Sequence, residues 1–393
     1  MADQDIVIVA AARTPMGGLQ GVLSSVRAPD LGAAAIAAVV ERAGLAADDV
    51  DEVVMGCVLP AGQGQAPARQ AALGAGLPLA AGCTTINKMC GSGMKAVMLA
   101  HDQIKAGSAA VMVAGGMESM SLSPYLLPKA RTGMRMGHGQ VIDSMFFDGL
   151  EDAYEGGLMG SFAQATADQY GVTREAMDDF AIASLTKALA AIEKGDFKAE
   201  IAPVSIKGRK GELLVDTDEQ PGNARIDKIR DLRPAFKSDG TVTAANSSSI
   251  SDGGSALLLM SAAEASRRGV QPLARIVGHS THAQKPAEFT IAPIGAITKL
   301  LERCGWSKDD VDLYEINEAF AVVTMLAQQE LGLDADKVNI HGGACALGHP
   351  IGSSGSRILV TLLYALKHQG LKRGVASLCI GGGEATAVAV ELL

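Results

Sequence analysis

No apolar run in this chain approaches the ~18 residues that a membrane-crossing helix needs. The opening MADQDIVIVAAARTP has neither a basic leader nor a long apolar stretch. Together these absences predict a soluble, cytoplasmic protein with no membrane partner. Cysteine is sparse as well. The six (Cys57, Cys83, Cys90, Cys304, Cys345, Cys379) include no CxxC pair, so neither a zinc knuckle nor a disulfide framework is expected. The ordinary role for any one of them is a small buried hydrophobe, and some are expected to be reduced thiols with a task. Positive charge is also short. With 34 Lys and Arg against 43 Asp and Glu, the net charge is −9, which excludes the broad basic face of a nucleic-acid-binding protein. Any anionic ligand must be gripped locally.

What is present is an apolar, glycine-rich α/β composition, 48% hydrophobic with 46 Gly in 393 residues. That length calls for several domains or a duplicated unit. The duplication is visible. VERAGLAADDVDEVV (40–54) aligns without gaps on LERCGWSKDDVDLYE (301–315), sharing Glu-Arg, a Gly and Asp-Asp-Val-Asp. Around each copy the same order is expected: strand, helix, strand, helix, strand, Gly-rich turn, helix and a further apolar strand. The second half closes at once with ATAVAVELL. The first half reaches its counterpart, SALLLM (255–260), only after about 130 residues beyond AGGMES, so an insertion is expected there. The domains are therefore read as 1–121 plus 250–270, an inserted stretch 122–249, and 271–393.

The insertion carries an apolar stripe (Met177, Phe180, Ala181, Ser184, Leu185, Ala188, Leu189, Ile192) that predicts a helix stopped by Gly195. It also holds Lys207, Arg209, Lys210, Arg225, Lys228, Arg230 and Arg233. These have two readings, a phosphate grip or a solvated mixed-charge surface. An insertion of this size commonly serves as a lid or an oligomer contact.

The chemistry is expected at two equivalent turns. TTINKMCGSGMKAV reads as strand, tight turn and helix, with Cys90 at the turn, where the helix dipole favours a thiolate and Gly91 and Gly93 clear the approach path. VNIHGGACALGHPIGSSGSRI repeats that pattern with His349 in the place of Cys90. A pseudo-twofold relation brings equivalent turns together, making Cys90 and His349 nucleophile and base. Cys379, before three glycines in LCIGGG, suits a proton carrier for a carbon acid, and Asn317 in INEAF suits a donor to a developing oxyanion.

With these pieces together the sequence closely resembles the thiolase family, in its acetyl-CoA acetyltransferase (acetoacetyl-CoA thiolase) branch, over nearly its whole length. INKMCGSGMKAV, AGGMESMS, KGRKGELLVDTDE, LRPAF, INEAF, GGACALGHPIG and LCIGGG carry the likeness. The resemblance implies a five-layered αβαβα fold with an inserted loop domain, a homotetramer held through that insertion, and coenzyme A esters as substrates. It also implies coenzyme A as substrate and product, with no resident metal or redox cofactor. Carried over, it makes Cys90 the acylated nucleophile, His349 the base that activates it and reprotonates departing CoA, and Cys379 the acid/base at the α-carbon. One oxyanion hole is a water on Asn317 with His349; the other is the N–H groups of Cys90 and Gly381. Leu150, Leu158, Met159, Phe236, Ala244, Ser248, Ala319 and Phe320 match positions lining the coenzyme A and acyl site.

The sequence departs from the short-chain pattern at Leu158, where His is frequent, in NSSSISDGG with its Ser249 and Ser251, in IAPIGA, and at His341. Those departures bear on acyl preference and on contacts to the coenzyme, as does the stretch from Pro221 to Lys228. The implied reaction is the reversible condensation of two acetyl-CoA to acetoacetyl-CoA. A degradative enzyme for longer 3-oxoacyl-CoA is the main alternative, and an inactive lipid carrier or scaffold a remote one. A ketoacyl synthase is disfavoured by Cys379, since those enzymes place His or Asn as the third catalytic group.

Overall fold

The computed structural model describes residues 2–208 and 211–393. Arg209 and Lys210, two of the basic residues named above, lie outside them. The first half runs β1 (Ile6–Arg13), β2 (Gly17–Gly18), α1 (Ala28–Ala43), β3 (Glu52–Gly56), α2 (Pro67–Gly74), β4 (Gly82–Ile86), α3 (Ser92–Lys105) and β5 (Val111–Ser119). The inserted stretch adds β6 (Tyr125–Leu126), β7 (Ile142–Asp143), α4 (Met159–Tyr170), α5 (Arg174–Lys194), β8 (Val204–Gly208), β9 (Gly211–Val215) and α6 (Glu219–Asn223). The chain then returns with β10 (Ser251–Ser261) and α7 (Ala262–Arg268). The second half follows as β11 (Ala274–Ala283), α8 (Ala292–Cys304), β12 (Leu313–Ile316), α9 (Ala321–Leu331), α10 (Ala344–Leu347), α11 (Ser354–Gln369), β13 (Arg373–Ile380) and β14 (Glu384–Leu392). Among the described residues no helix is long and apolar enough to cross a membrane.

The halves use one sheet order. In the first, parallel β4, β3 and β5 are continued by antiparallel β10 and β1. In the second, parallel β12 and β13 are continued by antiparallel β14 and β11, and Val338 bridges Tyr314 in parallel where β4 stands in the first half. The sheets join edge to edge where β1 meets β11, through Val7↔Arg275 and Ile8↔Ala274. Three apolar cores separate the layers. One lies between α1, α2 and the outer face of the first sheet, with Ile36, Val39, Ala71, Val53 and Leu258. A second, with Met94, Val97, Ile358, Leu362, Ile8 and Leu378, packs α3 and α11 between both sheets. A third, with Ile297, Leu300, Tyr314 and Val375, lies under α8. Helix, sheet, helix pair, sheet and helix give the αβαβα stack.

The repeated segment earns its identity locally. Gly44 and Gly305 both take the left-handed C-cap conformation, at φ 65 in each case. Asp49 and Asp310 accept from the backbone N–H of Ala46 and Ser307, at 2.9 and 2.8 Å. Asp51 accepts from Ala110 and Val111 N–H, and Asp312 from Lys372 and Arg373 N–H, all at 2.8–3.0 Å. Asp51 and Asp312 thus tie the starts of β3 and β12 to those of β5 and β13.

Gly91 and Gly93 do something other than open an approach path. A Cβ on Gly91 would overlap Ile380, and one on Gly93 would press on the Ser356 side chain and stand 2.8 Å from its backbone nitrogen. Both glycines let the Cys90 turn and α3 close on the other half. Gly116 is tighter still, because a Cβ there would overlap the Gly352 carbonyl and stand 2.8 Å from Ser353 Cα, both unyielding backbone. Gly116→Ala is expected to destabilise the protein by about 1–3 kcal/mol, the usual cost of overpacking. A lowered thermal unfolding temperature checks this, and an unchanged one contradicts it.

In the inserted stretch α5 is capped by Thr173 and stopped by Gly195 at φ 80, and it buries Met177, Ala181, Ser184, Leu185 and Ala188 of the expected stripe. Helices α4 and α5 pack on α9 and α10 of the second half.

Candidate active site

Cys90 sits on a strained turn. Met89 takes a left-handed φ of 47, unusual for a side chain with Cβ. Ser92 holds that turn, accepting from Lys88 N–H at 2.8 Å and donating to the Met89 carbonyl at 2.6 Å. The Lys88 ammonium pairs with Glu384 on β14, tying the turn to the second half. The backbone N–H groups of Gly381 and of Cys90 itself face the Cys90 sulfur.

His349 occupies the equivalent turn ahead of α11. Its N–H donates to the Ser249 carbonyl at 3.1 Å and to Ser251 Oγ at 3.2 Å, so the NSSSIS departure forms the bed of this turn. Its Nδ1 is 2.5 Å from Ser354 Oγ, whose own hydroxyl donates to the Pro350 carbonyl at 3.1 Å. With that hydroxyl donating to Pro350, Nδ1 carries the imidazole proton and Nε2 keeps the lone pair that a base facing the cavity needs. Among the described residues Nε2 is buried without a protein partner, as are both amide atoms of Asn317. Asn317 follows β12, its N–H donating to Ser377 on the neighbouring strand at 3.0 Å, two residues before Cys379.

A cavity of about 460 Å³ joins these turns, the size of a small-ligand pocket. Cys90, His349, Cys379 and Gly381 line it, with Leu150, Leu158, Met159, Phe236, Ala244, Ser248, Ala319 and Phe320. Both halves and the inserted stretch contribute. Asn317 is fully buried behind Ala319 and is outside that lining set. Phe320 stands edge-on to Phe236 and Phe289, with ring centroids 6.4 and 6.5 Å away.

Burial governs the protonation states. It pushes the Cys90 thiol up to about 11, against the lowering effect of the Gly381 and Cys90 N–H groups. Burial thus opposes the lowering that the helix dipole and amides give, because the desolvation cost of a charge is large. Cys379 is raised well above its ordinary value, first by burial and then by the nearby Cys90 sulfur. His349 is lowered to about 3 by burial and by the Arg357 guanidinium. The resting site is therefore two neutral thiols and a neutral imidazole.

Residues 6–263 match the family model described as Thiolase, N-terminal domain, and residues 270–392 match Thiolase, C-terminal domain. The chain belongs to the thiolase family. This thiolase is 52% identical to an acetyl-CoA acetyltransferase of Pseudomonas aeruginosa over 98% of each chain. It is 51% identical to acetyl-CoA acetyltransferase 2 of Arabidopsis thaliana, covering 99% of this chain and 98% of that one. The crystal structure of the Bacillus anthracis acetyl-CoA acetyltransferase superposes with a TM-score of 0.96 at 44% identity, covering 99% of both chains. The five layers described above are the thiolase fold.

Other lining residues of this thiolase escaped the sequence reading. Met89, Phe146, Ile250, Phe289 and Ile351 belong to the wall, and their only signal was adjacency to a motif or an apolar side chain in a turn. Ser354 was likewise missed, although it opens the helix that follows the His349 turn. His341, by contrast, lies away from the cavity, 3.5 Å from Asp196 and edge-on to Phe197. Around Pro221 to Lys228, exposed Arg225 and Lys228 pair with Asp227 and Asp231, and nearby Arg230 pairs with Asp179. These three take part in a mixed-charge surface.

Proposed function

We propose that this thiolase catalyses the reversible Claisen condensation of two acetyl-CoA to acetoacetyl-CoA and CoA, through an acyl-Cys90 intermediate. One observation carries the reading: two thiols and an imidazole with a bare Nε2 open from the functional turns of two halves into one apolar cavity. The acetyl-CoA acetyltransferase names of its near relatives agree with it.

The steps follow from the protonation states. His349 Nε2 takes the Cys90 proton as the sulfur attacks the thioester carbonyl, because a thiol held near 11 is a poor nucleophile until deprotonated. The Cys90 and Gly381 N–H groups that face the sulfur are placed to bond the acyl-thioester oxygen. Cys379 rests as a neutral thiol, so it becomes a base only after giving its proton away. His349 imidazolium, the stronger acid, returns its proton to departing CoA thiolate, and the freed imidazole then takes the Cys379 proton. Cys379 thiolate and His349 imidazolium then face the second acetyl-CoA. The thiolate removes the α-proton, and the imidazolium with a water on Asn317 stabilises the enolate oxygen. The enolate attacks the acetyl group, and the Cys90 thiolate that leaves recovers the imidazolium proton. Each proton is accounted for without a resident cofactor. Both thiols must stay reduced, which fits a cytoplasmic compartment.

The apolar wall suits the uncharged arm of coenzyme A and a short acyl chain. Homotetramer formation through the inserted stretch is part of the proposal, supported by exposed Tyr125, Leu127, Met136 and Val141. The test of function is CoA-dependent thiolysis from acetoacetyl-CoA to 3-oxododecanoyl-CoA. A sharp optimum at acetoacetyl-CoA supports the proposal, and a longer-chain optimum transfers the protein to degradation.

Two variants probe the site. Ser354→Ala is expected to lower kcat by roughly tenfold to a hundredfold, part of the 10² to 10⁴ that a positioned base supplies, with KM little changed. Ser354→Thr should restore most of it, and an unaltered kcat in Ser354→Ala would remove Ser354 from the mechanism. Met159→Ala should raise the kcat/KM ratio of the six-carbon over the four-carbon substrate by about tenfold or more, the scale of one or two accommodated methylenes. No change in that ratio would take Met159 out of the chain-length wall.

A further inference from the structure

A second group of ligand-type side chains lies on the far part of α3, about 14 Å along the helix from its start. His101 Nδ1 is 2.9 Å from Asp102 Oδ1, His279 Nε2 is 2.9 Å from that same oxygen, and the two nitrogens are 3.3 Å apart. His101 and Asp102 belong to α3 of the first half, whereas His279 belongs to β11 of the second. The imidazole rings stand nearly perpendicular, at 87°.

Hydrogen bonding alone accounts poorly for this triangle. If both rings donated to one carboxylate oxygen, the donors would arrive about 70° apart, well inside the roughly 120° between its lone pairs. Two N–H protons would then crowd between the rings. The same triangle suits a cation. Ligands about 2.0–2.1 Å from a metal are separated by about 3.3 Å in a tetrahedron and about 3.0 Å in an octahedron. The donor set of two imidazoles and one carboxylate is that of zinc and its first-row neighbours rather than calcium or magnesium.

We propose that His101, Asp102 and His279 form a site for a divalent transition metal of the zinc type, which staples α3 to β11 and so joins the two halves. The fourth position faces solvent, since the Asp102 side chain is 52% exposed while those of His101 and His279 are only 11% and 14% exposed. Lys95 is the opposing charge nearby, and Arg303 fixes the strand by donating to the His279 carbonyl. The site is remote from the thiols, so it braces the helix that carries the Cys90 turn and takes no part in the reaction.

The test is titration of the full-length protein with cobalt(II) chloride, followed by visible absorption, and with zinc chloride, followed by thermal unfolding. The expected result is one cobalt per chain with ligand-field bands and no near-ultraviolet thiolate band, together with a rise in unfolding temperature on zinc. His279→Gln and Asp102→Asn should each weaken binding by more than about 100-fold, beyond what losing a partner outside the ligand set costs. Asp102 is exposed enough that its variant keeps the fold, verified by unchanged thiolysis. A thiolate band, binding that survives both variants, or no binding up to millimolar cobalt would each overturn the site.

Discussion

Cys90→Ala should lose thiolysis and condensation by roughly a millionfold, the scale on which deleting an enzyme nucleophile acts. It should also take up no label from radiolabelled acetyl-CoA. The size of the effect follows from the cavity. Once Cys90 is gone, the remaining lining groups next to His349 are apolar side chains, serine hydroxyls on the bed of its turn, and Cys379, whose thiol is raised well above its ordinary value by burial. A base with no nucleophile to activate gives no covalent intermediate. A stable labelled thioester on the Cys90→Ala protein would defeat the assignment, and would point to Cys379 as the acylated sulfur.

Cys379→Ser separates the two half-reactions. Acylation of Cys90 should persist, because CoA thiolate is a good leaving group that departs with little help. Carbon–carbon bond formation and cleavage should fall by about 10² to 10⁴, since a serine hydroxyl is too weak an acid to become the base that takes an α-proton. Exchange of the α-hydrogens of acetyl-CoA with solvent deuterium reads this step directly, and labelled acyl-enzyme reads the first. Retained exchange would assign α-proton removal to His349. Loss of both readouts would mean that Cys379 is needed to build the site rather than to move a proton.

Much of this arrangement is legible along the chain because its causes are local. Gly44, Gly305, Asp49 and Asp310 of the repeated segment act within a few positions of themselves, as C-caps and 3-10 caps. That is why the duplication survives in the sequence and reveals the equivalence of the Cys90 and His349 turns. The return of the chain at β10, after the insertion, shows in the same way as a displaced apolar strand.

Other features have no local cause. Gly91 and Gly93 look like cleared space beside a nucleophile, but what they avoid is Ile380 and Ser356, more than 260 residues away in the chain. The lowering expected at the helix start is opposed by burial, which is a property of everything packed around Cys90. Ser354 is one serine among several in GSSGS until its hydroxyl is seen between His349 and Pro350.

The amino-acid sequence by itself determined the duplicated α/β architecture, the turns that carry the thiols and the imidazole, and the family to which they belong, because turn chemistry, periodicity and repetition are written in neighbouring residues. Only the tertiary structure decided how burial shifts the thiols and the imidazole, what walls the cavity, and that His101 and Asp102 meet His279. Those depend on solvent exclusion and on contacts between distant segments, which exist only once the two halves have closed on each other.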